Sequence, residues 1–257
     1  MATTLSKPVL VFIPGAWHTP KCFKEVINIL VAQGFECDAV SLPSVGAEAR
    51  GEEPVKNWDP DVEAIRSTIT SYLNLGKDVV PIAHSYGGTC ASQAVMGLSP
   101  KDRAKEGKEG SVRRMIYISA LLLKVGGYIW ESSGGKPWGG VVRLEGGEQD
   151  GVIYPTESRN WFYGDLSDEE AAEAAKDLQS EACGVYLSRA TYEPWFDIPC
   201  TYIRCTRDKC VLPEFQEYML QTAGGHMDAV MFDSDHSPFL SRPKLMADMI
   251  QAQVMKG

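Results

Sequence analysis

The residue best suited to chemistry is Ser85, in the stretch Ala83-His84-Ser85-Tyr86-Gly87. An apolar, β-branched run precedes it, and small residues in helix-like order follow. A serine on a sharp strand-to-helix turn is exposed as a nucleophile, and the residues two before and two after it must be small. Alanine at position 83 replaces the glycine of the common G-x-S-x-G pattern and is small enough for the turn. A serine that only caps a helix is the alternative, but the context favours a nucleophile.

A serine nucleophile needs a base to take its proton. His236 follows the last predicted strand, in FDSDHSPF, so it lies at the same edge of the sheet as the serine. The sequence therefore predicts His236 as the base. His84 adjoins the serine but is expected to point away from it, and His18 is expected to tie down the first loop. His226 precedes the last strand, at its wrong end.

The imidazole in turn needs an acid that holds its tautomer and stabilises its charged form. Asp208 follows the predicted strand 200–205, whereas the strand before it ends in Ser119-Ala120 with no carboxylate. A turn aspartate is the alternative role for Asp208. Asp233 and Asp235 are too close in sequence to the histidine and are expected to shape its loop. The order serine, aspartate, histidine is the order of the α/β-hydrolase fold.

Two backbone N–H groups can stabilise the developing oxyanion. One belongs to Tyr86, at the start of a helix, and the other to Ala16, in the loop after the first strand. Trp17 and the Tyr86 side chain adjoin these donors and are predicted to bind substrate, together with Trp130 and Trp161, although core packing is the usual role of aromatic residues. The wider set of aromatic candidates is Trp130, Trp138, Tyr154, Trp161, Phe162 and Tyr163.

Strand and helix patterns alternate along most of the chain, which predicts an α/β fold with a mostly parallel central sheet and helices on both faces. The alternation stops between residues 121 and 195, so we expect a core formed by residues 1–120 and 196–257 and an inserted cap formed by residues 121–195. The cap segment is predicted to contain a hairpin and an acidic helix over 167–178. Residues 101–110 are expected to be a solvated connector.

The 257 residues carry a net charge of −9, which argues against nucleic acid and anionic membranes as partners. No run is long and apolar enough for a membrane span, and the N-terminal stretch is expected to be the first strand. Seven cysteines without metal-site spacing predict reduced thiols in a cytoplasmic protein. No phosphate loop, dinucleotide fingerprint or metal cluster is present in the sequence, so no cofactor is predicted.

Three stretches resemble the plant methylesterase and hydroxynitrile lyase group of α/β-hydrolases: VFIPGAWHTPKCFKEVINIL, CTRDKCVLPEFQEYM and DSDHSPFLSRP. The cap segment looks more like microbial and fungal members. The resemblance implies that Ser85, Asp208 and His236 match the family's nucleophile, acid and base, and that Ala16 and Tyr86 match its oxyanion positions.

The sequence also departs from that group. Ser237 stands where the lyases have a lysine, and Ala16 lacks a hydroxyl, and both differences favour ester or lactone cleavage. Pro14 replaces the usual histidine of the family's His-Gly pair.

Three functions follow from this pattern. The first is a serine hydrolase that cleaves esters or lactones of small to medium apolar molecules through an acyl-enzyme. The second is a lyase or cyclase that uses the same base on C–C or C–O bonds of a secondary metabolite. The third is a ligand receptor without enzymatic activity, which has no need of an intact Asp208. The sequence indicates neither the substrate nor the oligomeric state.

Overall fold

The fold is organised around a parallel β-sheet in the computed structural model, which describes residues 7–132 and 142–256. In the described part of the chain, six strands form this sheet in the order β2-β1-β3-β4-β8-β9, and all their pairings are parallel. The strands, numbered along the chain, are β1 (Val9–Ile13), β2 (Cys37–Ala39), β3 (Val79–His84), β4 (Met115–Ile118), β5 (Val142–Glu145), β6 (Val152–Pro155), β7 (Glu181–Ala182), β8 (Cys200–Cys205) and β9 (Met227–Phe232).

Helices connect the strands and cover both faces of the sheet. None of those in the described residues has the length and apolar character that crossing a membrane requires. The α-helices are α1 (Lys24–Ala32), α2 (Asp59–Leu73), α3 (Tyr86–Ala94), α4 (Pro100–Lys105), α5 (Ile129–Ser132), α6 (Ser158–Trp161), α7 (Asp168–Ala175), α8 (Pro213–Thr222), α9 (Pro238–Ser241) and α10 (Pro243–Val254).

The core has two layers, one on each face of the sheet. Strand β1 is buried along its whole length, and its side chains alternate between the layers. Val11 packs in the layer that contains Ile65 of α2, whereas Phe12 packs in the layer that contains Leu30 of α1 and Ile250 of α10. A parallel strand covered on both faces must be apolar on both, which explains the continuous apolar run in the sequence.

The structure corrects the prediction for residues 101–110. They do not form a plain connector, because α4 begins at Pro100. Ser99 caps this helix by accepting a hydrogen bond from the Asp102 N–H at 3.1 Å, and proline is favoured at the first helical position. Strand β2 is short, because only residues 37–39 pair with β1.

The cap segment, residues 121–195, contains a small antiparallel sheet. Strands β5 and β6 form the predicted hairpin, and β7 pairs with β6. The predicted acidic helix is present as α7, which starts with a capping box between Ser167 and Glu170. Glu181 of β7 also bridges Val45, in the loop after β2. The cap segment is therefore joined to that loop by backbone pairing.

Candidate active site

Ser85 lies at the sharp turn between β3 and α3. Its φ of 49° is in the left-handed region, which a non-glycine residue adopts only under constraint. The turn is crowded, because a Cβ atom at Gly87 would lie 2.2 Å from the carbonyl oxygen of Pro14. Ala83, at the other position that must be small, is fully buried. The local structure is thus the strand–turn–helix arrangement that the sequence predicts.

Asp208 and His236 form a buried pair at the C-terminal edge of the sheet, in the loops after β8 and β9. His236 Nδ1 lies 2.8 Å from Asp208 Oδ2. The other carboxylate oxygen accepts hydrogen bonds from the backbone N–H groups of Cys210 at 2.7 Å and Val211 at 2.9 Å. These bonds orient the carboxylate and leave Nε2 of the imidazole available for another partner.

The pKa of His236 is raised well above its usual value of 6.5. Burial by itself lowers this pKa, because it removes water from the charged imidazolium. The attraction of Asp208 outweighs burial, and the Cys210 side chain acts in the same direction. His236 is therefore neutral, and able to accept a proton, only at a pH above this raised pKa.

Two side chains that sequence reasoning did not select also hold the acid. Ser119, at the end of β4 and with a φ of 43°, donates its hydroxyl to Asp208 Oδ2 in a short hydrogen bond. Gln216 of α8 donates to the Val211 carbonyl oxygen at 2.7 Å and accepts from the Cys205 N–H at 3.1 Å. The sequence could have pointed to Ser119, because this residue follows a strand at the C-terminal edge of the sheet. It could not have pointed to Gln216, because this side chain reaches the loop from the side of a helix.

The turn at Ser85 and the loop of His236 are in direct contact. His84 Nε2 lies 2.9 Å from the His236 carbonyl oxygen, and the two rings are 4.5 Å apart. Burial, together with His236 and His18, lowers the pKa of His84 well below its usual value, so the ring is neutral and Nε2–H donates. The Ser85 hydroxyl itself makes no hydrogen bond to His236 or to any other residue that the structure describes.

The loop after β1 packs against the Ser85 turn. A Cβ atom at Gly15 would come within 2.8 Å of the Ser85 Cβ atom, which shows how closely the two backbones approach. The N–H of Ala16 has no acceptor among the described residues. Tyr86 is the first residue of α3, so its N–H has no acceptor within the helix. The two amides predicted as oxyanion donors therefore come from adjoining elements.

His18 holds this loop, as expected. Burial lowers its pKa to about 4, so the ring is neutral. Nδ1 lies 2.8 Å from the Ala16 carbonyl oxygen and Nε2 lies 3.0 Å from the hydroxyl of Tyr163. The neutral tautomer that fits both contacts carries its proton on Nδ1, so His18 donates to Ala16 and accepts from Tyr163.

The four residues predicted to bind substrate lie in different surroundings. The Tyr86 side chain is fully buried, and its hydroxyl donates to Asp61 at 2.5 Å. The Trp17 ring is buried and its N–H donates to the Ile153 carbonyl oxygen at 3.1 Å. Trp130 stacks on Tyr186. Their roles towards substrate stay predictions.

The cap segment reaches His236 through Phe162, which sequence reasoning counted among the aromatic candidates but did not select. The ring centroids of Phe162 and His236 are 5.8 Å apart, and Phe162 also stacks on Trp17 at 5.5 Å. Its neighbour Trp161, which was selected, is half-buried, and its indole N–H has no partner among the described residues. Trp138 lies outside the described residues.

A second contact joins the cap segment to the histidine loop. Asp165 and Asp235 exchange backbone N–H bonds to each other's carboxylates, at 2.9 Å and 3.1 Å. Arg207, beside the acid, pairs with both carboxylate oxygens of Asp165 and with Asp233. Asp235 also accepts the N–H of Ser237 at 3.1 Å, so it shapes the histidine loop as the sequence predicts.

Comparison with known proteins shows the family to which the chain belongs. The chain belongs to the alpha/beta hydrolase family, whose model matches residues 10–249. Alpha/beta hydrolase nvfD of Aspergillus novofumigatus is 32% identical over 249 residues, which cover 95% of this chain and 96% of that protein. Methylesterase 18 of Arabidopsis thaliana is 25% identical over 259 residues, covering 93% and 94% of the two chains.

Solved structures agree on the fold. The crystal structure of a pyrethroid hydrolase from Sphingobium faniae JZ-2 superposes with a TM-score of 0.78 and 19% identity, and the match covers 97% of this chain and 98% of that one. The predicted α/β-hydrolase fold and the resemblance to plant methylesterases and fungal members are thus confirmed. With esterases and hydrolases as its relatives, the protein is an enzyme, an esterase-type hydrolase.

Proposed function

We propose that the protein is a serine hydrolase that cleaves carboxylic esters or lactones with Ser85, His236 and Asp208. The observation that carries the proposal is the buried pair of His236 and Asp208, 2.8 Å apart, beside the strained turn that presents the serine. A buried acid–imidazole pair next to a serine on such a turn has the parts of a proton relay for acyl transfer.

In the proposed mechanism, Ser85 Oγ attacks the acyl carbon while His236 Nε2 takes the hydroxyl proton. Nε2 has this role because Nδ1 is bonded to Asp208, whose charge stabilises the imidazolium that forms. The N–H groups of Ala16 and Tyr86 stabilise the oxyanion. His236 then returns the proton to the leaving alcohol oxygen. Water, deprotonated by the same imidazole, then attacks the acyl carbon. The bond to Ser85 Oγ breaks, the imidazolium returns its proton to Oγ, and the acid leaves.

The mechanism requires a hydrogen bond between Ser85 Oγ and His236 Nε2 that this structure does not contain. Catalytic hydrogen bonds are often long without substrate and tighten only in the complex. The contact between His84 and the His236 carbonyl oxygen already holds the two loops together. The two residues that must meet are therefore carried by segments that are already in contact.

A small to medium apolar acyl or alcohol group is the substrate class that we propose. Support comes from two aromatic side chains, Phe162 beside His236 and Trp17 stacked on Phe162, and from the methylesterase relatives. Ser237, next to the histidine, is buried and uncharged, which favours ester or lactone cleavage over the release of cyanide. The indole N–H of Trp161, which has no partner in the described part of the chain, is a candidate donor to a polar atom of the substrate.

We further propose a cytoplasmic location. The support is that all seven cysteines lie in the described residues and none forms a disulfide there. A reducing compartment keeps thiols in this state.

A panel of p-nitrophenyl esters, methyl esters and lactones tests the function. We expect hydrolysis of at least one apolar member, with one water consumed per turnover, and stoichiometric inactivation by a fluorophosphonate with the adduct on Ser85 by peptide mass spectrometry. No hydrolysis across the panel together with no adduct would refute the proposal. Bond cleavage without water uptake would indicate the lyase or cyclase, and ligand binding without turnover the receptor.

A further inference from the structure

A buried carboxyl group of the cap segment contacts the loop that carries the Ala16 amide. The backbone N–H of Trp17 donates to Glu181 Oε2 at 2.7 Å, and Glu181 is fully buried. The preceding carbonyl group, that of Ala16, is bonded to His18 Nδ1 at 2.8 Å. The peptide unit between Ala16 and Trp17 is therefore held at its oxygen by His18 and at its N–H by Glu181.

Trp17 has a backbone conformation that needs such support. Its φ is 63°, in the left-handed region, which side chains other than glycine rarely adopt. The cap segment binds Trp17 at two further points: Gln179 donates its N–H to the Trp17 carbonyl oxygen at 2.9 Å, and the Ile153 carbonyl oxygen accepts the indole N–H at 3.1 Å. Three hydrogen bonds from one segment thus fix this residue.

Glu181 is itself held in place by the cap segment on one side and by the loop after β2 on the other. Its strand, β7, pairs with β6 and bridges Val45 in the loop after β2. Ser44 in the same loop accepts the Ala182 N–H at 2.9 Å through its carbonyl oxygen, and its hydroxyl lies 3.4 Å from Glu181 Oε1. The carboxyl group is therefore fixed relative to the core as well as to the cap segment.

The state of the carboxyl group decides which substitution can replace it. Burial raises the pKa of Glu181 well above its usual range, and the nearby carboxylate of Asp61 adds to the effect. A raised pKa favours the protonated, uncharged form of the group. A glutamine has nearly the same shape, and its amide oxygen can accept the Trp17 N–H in the same way, whereas a leucine fills the space without an acceptor.

We propose that Glu181 is a positioning residue for the oxyanion hole: its carboxyl oxygen fixes the Trp17 amide and thereby aims the adjacent Ala16 N–H at the acyl oxygen. This inference rests on the function proposed above. Because the acceptor belongs to the cap segment, the packing of β7 against the loop after β2 affects the rate of acyl transfer and not only the choice of substrate.

The test compares Glu181→Leu with Glu181→Gln on an ester that the wild type hydrolyses. Loss of one oxyanion donor lowers kcat by roughly 10²-fold or more. We expect Glu181→Leu to lose about 10²-fold in kcat while KM changes less than about threefold, since an interaction made only in the transition state is removed. Glu181→Gln should stay within about threefold of the wild type in both constants. If the leucine variant does not fold, Glu181→Ala takes its place.

Ile250→Val, a core substitution in α10 on the other face of the sheet, is the control for lost stability and should leave kcat per folded molecule unchanged. Wild-type kcat in Glu181→Leu, equal losses in the leucine and glutamine variants, or a loss confined to KM would overturn the inference while the proposed function stands. If the wild type itself hydrolyses no ester and Ser85 takes no fluorophosphonate, the proposed function fails and this inference fails with it.

Discussion

Ser85→Ala and His236→Ala are each expected to lower kcat by about 10⁶-fold on an ester that the wild type hydrolyses. The serine variant has no nucleophile, and the histidine variant has no group to take the proton from the serine. Because the two residues act in the same step, the double variant should be no slower than either single variant. Each variant should still hydrolyse the ester roughly 10³-fold faster than the uncatalysed reaction in water, since the oxyanion donors and the binding contacts remain.

Two matched substitutions control for nonspecific effects. Ser71→Ala, on the exposed side of α2, and His226→Ala, before β9, remove the same side-chain groups from solvent-exposed positions and should leave kcat unchanged. The measurement is the initial rate of p-nitrophenol release at equal concentrations of folded enzyme. Retained activity in either site variant, or losses that multiply in the double variant, would contradict joint action of Ser85 and His236.

Asp208→Asn is expected to lower kcat by about 10⁴-fold, even though the side chain keeps its shape. The carboxylate accepts the Nδ1–H of His236 at 2.8 Å, and the backbone N–H groups of Cys210 and Val211 bind its other oxygen. An amide can turn its NH₂ group towards Nδ1, which stabilises the wrong tautomer of the imidazole. It also carries no charge to stabilise the imidazolium.

The same substitution should move the pH dependence of the rate. In the wild type, kcat/KM should rise with pH as His236 loses its proton, with a midpoint above 6.5 because Asp208 raises the pKa. Without the carboxylate, burial becomes the larger influence and lowers the pKa, so the midpoint should move to lower pH. The raised pKa of His236 also adds to the free energy of unfolding of the wild type. This contribution is fully present below about pH 6.5 and is lost as the pH rises through the folded-state pKa.

Asp248→Asn, which removes a surface carboxylate of α10 that pairs with Lys244, is the matched control and should change neither kcat nor the pH midpoint. The measurement is kcat/KM between pH 5 and 10 for the wild type and both variants. An unchanged midpoint in Asp208→Asn would show that the carboxylate does not set the pKa of His236.

The parts of the site that follow from local sterics and chain order could be predicted from the sequence. The turn at Ser85 needs Gly87, because the backbone of the loop after β1 occupies the space of a Cβ atom there. Parallel strands place their C-terminal ends at one edge, so the loops of Asp208 and His236 were expected to meet, and the structure brings them together.

The rest depends on contacts between distant segments that no local pattern records. Ser119 and Phe162 reach Asp208 and His236 from a strand end and from the cap segment. Glu181 stands in an ordinary polar stretch, and only the packing of β7 against the loop after β2 reveals it as a buried acceptor. A buried acid held by tertiary contacts has no signature of its own in the sequence.

These contacts connect the cap segment to the proposed chemistry in three places. The Phe162 ring is next to the His236 ring, Asp165 bonds to Asp235 beside it, and Glu181 accepts the N–H of Trp17, the residue after Ala16. Substitutions in the cap segment are therefore expected to alter the rate of catalysis as well as the preference for substrate.

Intact-protein mass spectrometry of enzyme quenched with acid during turnover of an activated ester tests the central claim most directly. A Ser85 nucleophile predicts a fraction of the protein heavier by one acyl group, with the added mass on the peptide that contains Ser85 and absent from Ser85→Ala. Turnover by the wild type with no acylated fraction at any quench time, or with the acyl group on another residue, would contradict the claim that Ser85 forms the covalent intermediate.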